Sequence, residues 1–130
     1  MYENYLEPVT TASWPPPGDH ALRRAADGLL VAELRGEIDL ATVTQLRCWL
    51  DSVVSLRAPA YLVDLRAVDF IDSAGLNLLL RLRRRVLKED GAFAVLCTAN
   101  TRRLMGAHGT LAVLDPATTP AQAAARLSAD

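Results

Sequence analysis

The chain has 130 residues, enough for one domain around a single core. Hydrophobic residues make up 51% and charged residues 22%, values of a folded globular protein rather than a disordered one. Fourteen basic residues against fifteen acidic leave a net charge of −1, which argues against nucleic acid as the main partner, since phosphate neutralisation needs a basic excess.

Residues 1 to 18 hold four of the seven prolines, among them Pro15-Pro16-Pro17, followed by Gly18. Such a run favours extended, unpacked backbone, so a flexible tail is expected there, with the folded domain over 19–130. The same N-terminus lacks a basic segment followed by an apolar stretch, the pattern of a signal peptide. No apolar run approaches the roughly 18 residues of a membrane span; Leu76 to Leu82 is broken by Asn77 and Arg81. A cytoplasmic location with no membrane partner is expected.

Asp27-Gly28 lies between two short strand-like runs and marks a hairpin turn, because glycine accepts positive φ cheaply. The second run, Leu29 to Leu34, ends at Gly36. From 41 to about 56, Val43, Leu46, Leu50, Val53 and Val54 recur at three- and four-residue spacing, one face of an amphipathic helix. Arg57-Ala58-Pro59 stops it. Tyr61 to Leu65 is a short run of strand formers, followed by a connection, Ala67 to Asp72. A second helix starts at Ser73, draws its core faces from Leu76, Leu79, Leu80, Leu82, Val86 and Leu87, and ends at Gly91. Ala92 to Cys97 is the next strand; a weak helix at 100–107, a short strand at Leu111 to Leu114 and a helix at 121–128 complete the chain. A hairpin followed by alternating helix and strand predicts an α/β fold: a mixed, mostly parallel sheet of four to five strands with about four α-helices packed on it. Right-handed crossovers gather the strand ends on one edge, where such folds make their contacts.

Three segments stand out in that frame: Gly36-Glu37-Ile38-Asp39 with Thr42, Val63-Asp64-Leu65, and Phe70-Ile71-Asp72-Ser73-Ala74-Gly75-Leu76. In this order and spacing they resemble the STAS domain family, whose best-known members are bacterial anti-sigma-factor antagonists. The resemblance covers about 19–130. Its most specific piece is Asp72-Ser73-Ala74-Gly75-Leu76 at a strand-to-helix junction, some thirty residues after Gly36-Glu37-Ile38-Asp39. It implies that Ser73 is phosphorylated by a partner that is both anti-sigma factor and serine kinase. It further implies that the unmodified form binds this partner and frees a sigma factor, that phosphorylation breaks the contact, and that a serine phosphatase resets it. The partner-binding set is then Asp39, Thr42, Asp72, Ser73, Ala74, Gly75 and Leu76, with no catalytic residue, no metal and no cofactor. The chain departs from the family pattern at Gly109-Thr110, where members commonly carry Gly-Leu.

The residues themselves fit a switch. A phosphate at Ser73 would face the positive end of a helix dipole and free N–H donors, so the fold tolerates it. The effect of about −1.5 to −2 charges must then be felt by the partner that has to desolvate them. Serine and aspartate both suit N-cap duty, so Ser73 can also be read as an ordinary cap. Asp39 can cap the first helix, contact the partner or orient the serine hydroxyl. Asp64, Asp69 and Asp72 are weak metal candidates because nothing in the sequence makes their oxygens converge. Cys48 and Cys97 are expected as buried free thiols, and neither His20 nor His108 has a ligand or catalytic partner at useful spacing. Arg81, Arg83, Arg84 and Arg85 fall late in a helix, where cations suit the dipole and ride over a solvated face. An unphosphorylated adaptor of the same fold is the alternative. A phospho-aspartate receiver centred on Asp64 lacks its late lysine, the sole lysine being Lys88, and a hydrolase lacks a nucleophile elbow.

Overall fold

The computed structural model describes Glu7–Pro8 and residues 20–128. Five strands form one sheet in sequence order: β1 (Glu7–Pro8), β2 (His20–Arg24), β3 (Leu29–Ile38), β4 (Ala60–Ile71) and β5 (Ala92–Leu96). The first two contacts are antiparallel, and β3–β4 and β4–β5 are parallel. Apart from Glu7–Pro8, the tail expected over 1–18 lies outside the described residues. The β2–β3 hairpin turns at Asp27 and Gly28, with φ of 67° and 82°, in a short 3-10 segment closed by the Ala25 N–H on the Leu29 carbonyl at 2.8 Å. That left-handed pair is what Asp-Gly signalled.

Period-two alternation sorts β3 between two layers. Leu30, Ala32 and Leu34 face a core shared with α1 (Val43–Val54), α2 (Ser73–Lys88), α3 (Ala99–Ala107) and α4 (Leu111–Leu114). Leu29 and Val31 face α5 (Pro120–Ser128), which packs Leu127 and Ala123 on the opposite side. Trp49 and Tyr61 are buried in the larger core, with His20 tilted against the Trp49 ring at 4.4 Å. Asp51 on α1 joins α2 by accepting from Arg81 at 2.7 Å and Arg85 at 3.2 Å, so half of the arginine cluster bridges helices instead of lying free in solvent.

Four expectations need correction. Leu87, expected on a core face of α2, is 43% exposed. The segment 67–72 is not a connection, because β4 continues to Ile71. Relative to β3 it carries one extra residue between the pairs Glu33–Asp64 and Arg35–Ala67, and another between Gly36–Val68 and Glu37–Phe70. Each bulge breaks the alternation that marks a strand in sequence. Leu111–Leu114 is a turn of helix rather than a strand; Asp115, at φ 44°, ends it, and the bridge to β5 is made by Ala117 instead. Cys97 is buried but Cys48 is exposed on the outer face of α1.

Candidate functional site

The bulges in β4 bring Ile71 into register with Ile38, so β3 and β4 end side by side. Beyond that pair the Asp72 N–H donates to the Ile38 carbonyl at 3.1 Å, adding one more rung before the chain turns into α2. Asp72 is extended (φ −101°, ψ −174°) and is the N-cap: its Oδ1 accepts from the Gly75 N–H at 3.1 Å. Its other oxygen, Oδ2, accepts from the Leu40 N–H at 3.2 Å in the loop after β3. One carboxylate therefore ties the start of α2 to the 39–42 loop.

Gly75 makes this junction possible. A Cβ there would stand 2.6 Å from Ile71 Cγ1, 2.8 Å from Ile38 Cγ2 and 2.9 Å from the Ile38 carbonyl oxygen. The first turn of α2 thus sits directly against the ends of both strands. Leu76 enters the core beside it. Ala74 is half-buried, and Ser73 is exposed, with exposed Asn77 one turn further on the same helix face.

Because Asp72 takes the cap, Ser73 is the first residue of the helix proper and its hydroxyl is left over. Among the described residues nothing bonds it. The Ser73 and Ala74 amides belong to the first turn, which has no carbonyls behind it and carries the positive end of the dipole.

The 39–42 loop is held as tightly. Asp39 Oδ1 accepts from the Ala41 N–H at 3.0 Å and the Thr42 N–H at 3.2 Å. Thr42 Oγ1 accepts from the Asp39 N–H at 3.0 Å and donates to the Glu37 carbonyl at 3.1 Å. Asp39 therefore caps the loop amides ahead of α1 and, among the described residues, does not reach the serine hydroxyl. The whole expected set (Asp39, Thr42, Asp72, Ser73, Ala74, Gly75 and Leu76) converges on one sheet edge. Asp64 and Asp69 do not join it: Asp64 is buried on the sheet in a fork with Arg66 at 2.9 Å, and Asp69 is exposed in the second bulge. Two exposed apolar side chains escaped the sequence reading. Leu40 in the loop is 77% exposed, and Phe70, paired with Glu37, is 44% exposed. Leu40 stands three residues before Val43 and so mimics a position of the α1 core face.

A mixed sheet with helices on both faces, whose inner parallel strands end at a helix capped by an aspartate and opening on an exposed serine, defines a class. A family model of the STAS domain matches residues 21–120, and the chain belongs to that family. Its relatives include BtrV of Bordetella bronchiseptica, named among the anti-sigma factor antagonists, which is 31% identical over 101 residues, 76% of this chain and 86% of that one. The crystal structure of an anti-sigma factor antagonist from Mycobacterium paratuberculosis is 30% identical with a TM-score of 0.75, covering 85% of this chain and 93% of that one. SpoIIAA, in its unphosphorylated form, shares the fold at 22% identity with a TM-score of 0.60, covering 85% of this chain and 99% of its own.

Proposed function

We propose that this chain is an anti-sigma-factor antagonist whose partner contact is switched by phosphorylation of Ser73. The partner is an anti-sigma factor with serine-kinase activity, and a serine phosphatase reverses the modification. The protein acts in the cytoplasm, by binding and not by catalysis; among the described residues no helix is long and apolar enough to cross a membrane. The domain proper spans 19–130, to which Glu7–Pro8 adds a short edge strand.

One observation carries this reading: Asp72 performs the capping that a helix-start serine ordinarily performs, so the Ser73 hydroxyl is exposed and uncommitted. Replacing a hydroxyl hydrogen there by a phosphoryl group breaks no internal bond. The dianion is stabilised by the dipole and by the open amides of Ser73 and Ala74, which offsets repulsion from the Asp72 carboxylate. A partner covering Ser73 would have to strip water from those charges, and that cost breaks the complex. The relatives named as anti-sigma factor antagonists support the same role.

Incubation with ATP and the candidate kinase, followed by intact-mass measurement, tests the assignment. Wild type is expected to gain one phosphate and Ser73→Ala none, while Ser73→Ala still binds the kinase. Ser73→Asp is expected to bind at least about tenfold more weakly with a melting temperature close to wild type, because an acid at the first helical position costs the fold little. Wild-type affinity in Ser73→Asp would refute the switch. Binding without modification of the wild type would point instead to the adaptor that is never phosphorylated.

A further inference from the structure

Among the described residues Leu40 is the most exposed of the large apolar side chains at 77%, against 48% for Leu56, 47% for Val113, 44% for Phe70 and 43% for Leu87. A leucine in water is unremarkable when its backbone is loose. This one is fixed. Its own N–H is held by Asp72 Oδ2 at 3.2 Å, and its neighbours Asp39, Ala41 and Thr42 are locked by the four bonds of the Asp39–Thr42 turn. Ordering a segment costs conformational entropy. Here that cost presents an apolar side chain to solvent, which brings the free protein no burial.

The pin is also informative by its origin. The carboxylate that holds Leu40 is attached to the residue before Ser73, so the leucine and the serine are set on one rigid edge. Phe70, also exposed, lies near the same end of β4, paired with Glu37. Segments 36–42 and 67–77 around it carry Glu37, Asp39, Asp69 and Asp72 and no lysine or arginine.

We propose that Leu40 is the apolar anchor of the contact with the anti-sigma factor, and that Asp72 is the positioning residue that presents it. The inference rests on the function proposed above and names what that interface grips. The occupant is an apolar pocket on the anti-sigma factor. Phosphorylated Ser73 would stand at its margin, where a pocket that must close around Leu40 cannot also hydrate a dianion.

The test titrates the candidate anti-sigma factor kinase with wild type, Leu40→Ser, Leu40→Met, Asp72→Asn and Ser73→Asp. Burying one leucine side chain is enough for roughly tenfold or more in affinity. Leu40→Ser is therefore expected to lose about tenfold or more with its melting temperature unchanged, and Leu40→Met to stay within about threefold. Asp72→Asn keeps one acceptor oxygen for the Gly75 amide and puts an NH2 group where Leu40 needs an acceptor. Hydrogen exchange should then show a faster Leu40 amide with Gly75 still protected, alongside an intermediate loss of affinity. If Leu40→Ser binds like wild type while Ser73→Asp does not, the anchor is overturned and the switch survives. If neither substitution alters binding, or wild type does not bind, both readings fall. Loss of self-association alone in Leu40→Ser would overturn the anchor in favour of a contact between copies. An unchanged Leu40 amide in Asp72→Asn would remove Asp72 from the presenting role.

Discussion

Gly75→Ala sets two physical effects against each other. Helix propensity alone favours the substitution, by at most about 1 kcal/mol near a helix start. Packing opposes it. The added methyl would approach three atoms within 2.6 to 2.9 Å, where ordinary contact begins near 3.4 Å. Two belong to Ile71 and Ile38, which are 0% and 1% exposed and have no room to swing. The third is the Ile38 carbonyl oxygen, which already accepts from the Asp72 N–H at 3.1 Å, so relief requires the strand end and the helix start to part. Overpacking of this kind costs about 1–3 kcal/mol, and the backbone involvement points to the upper half of that range. The net expectation is a loss of about 1–2 kcal/mol, a fall in melting temperature of roughly 5–10 °C for a domain of this size. Thermal and denaturant unfolding should be compared with Asn77→Ala, a control at an exposed position of the same helix that carries only the propensity gain. Because the displaced atoms hold Asp72, partner affinity should fall as well. A Gly75→Ala protein as stable as wild type would refute the claim that α2 is seated directly on the two strand ends.

Other outcomes follow from the charges and thiols. The carboxyl of Asp51 is held below its ordinary pKa, chiefly by the hydrogen bond from Arg81, with the charges of Arg81, Arg85 and Arg47 opposing a modest desolvation. A depressed folded-state value contributes stability above the unfolded pKa and loses it as pH falls through the folded one, so the acid limb of the stability curve should flatten in Asp51→Asn. Both partners are about one-third exposed, which limits the cost at neutral pH to roughly 0.5–1 kcal/mol, shrinking in high salt. Equal stability of variant and wild type at all pH values in low salt would show the bridge to be idle. Of the two cysteines, Cys48 is open to solvent, whereas burial pushes the Cys97 thiol up to about 11. A thiol reagent should label one site in the folded protein and the second only on unfolding; rapid double labelling would contradict the burial of Cys97.

Much of this architecture was legible because its signals are local. Asp27-Gly28 marked the hairpin, and the spacing of Leu46, Leu50, Val53 and Val54 marked α1. The failures have physical causes. Four apolar residues at Leu111–Leu114 are too few to display a period, and they are helical because Leu114 reaches the core while Thr110, buried, satisfies its hydroxyl on the Met105 carbonyl at 3.3 Å. The bulges hid the second half of β4. Cys48 was misplaced by treating α1 as apolar all round, although it lies two residues from both Leu46 and Leu50 and so falls off their face. At the site, parallel connectivity implied that the 39–42 loop lies beside the Ser73 junction, as it does. Connectivity could not show how Asp72 divides its two oxygens, because the partner of the second lies 32 positions away in the chain.

The outer margin of β5 bears on how such a sheet avoids growing. Across from Leu96 the chain returns as Ala117, taking the Cys97 N–H at 2.9 Å and giving its own N–H to the Val95 carbonyl at 2.8 Å. That single residue fills the sites an incoming strand would use there; among the described residues β1, on the opposite margin, is two residues long. Growth of the sheet is blocked at that point of its margin, whereas the contact proposed above uses the ends of β3 and β4, where side chains and a helix start face outward.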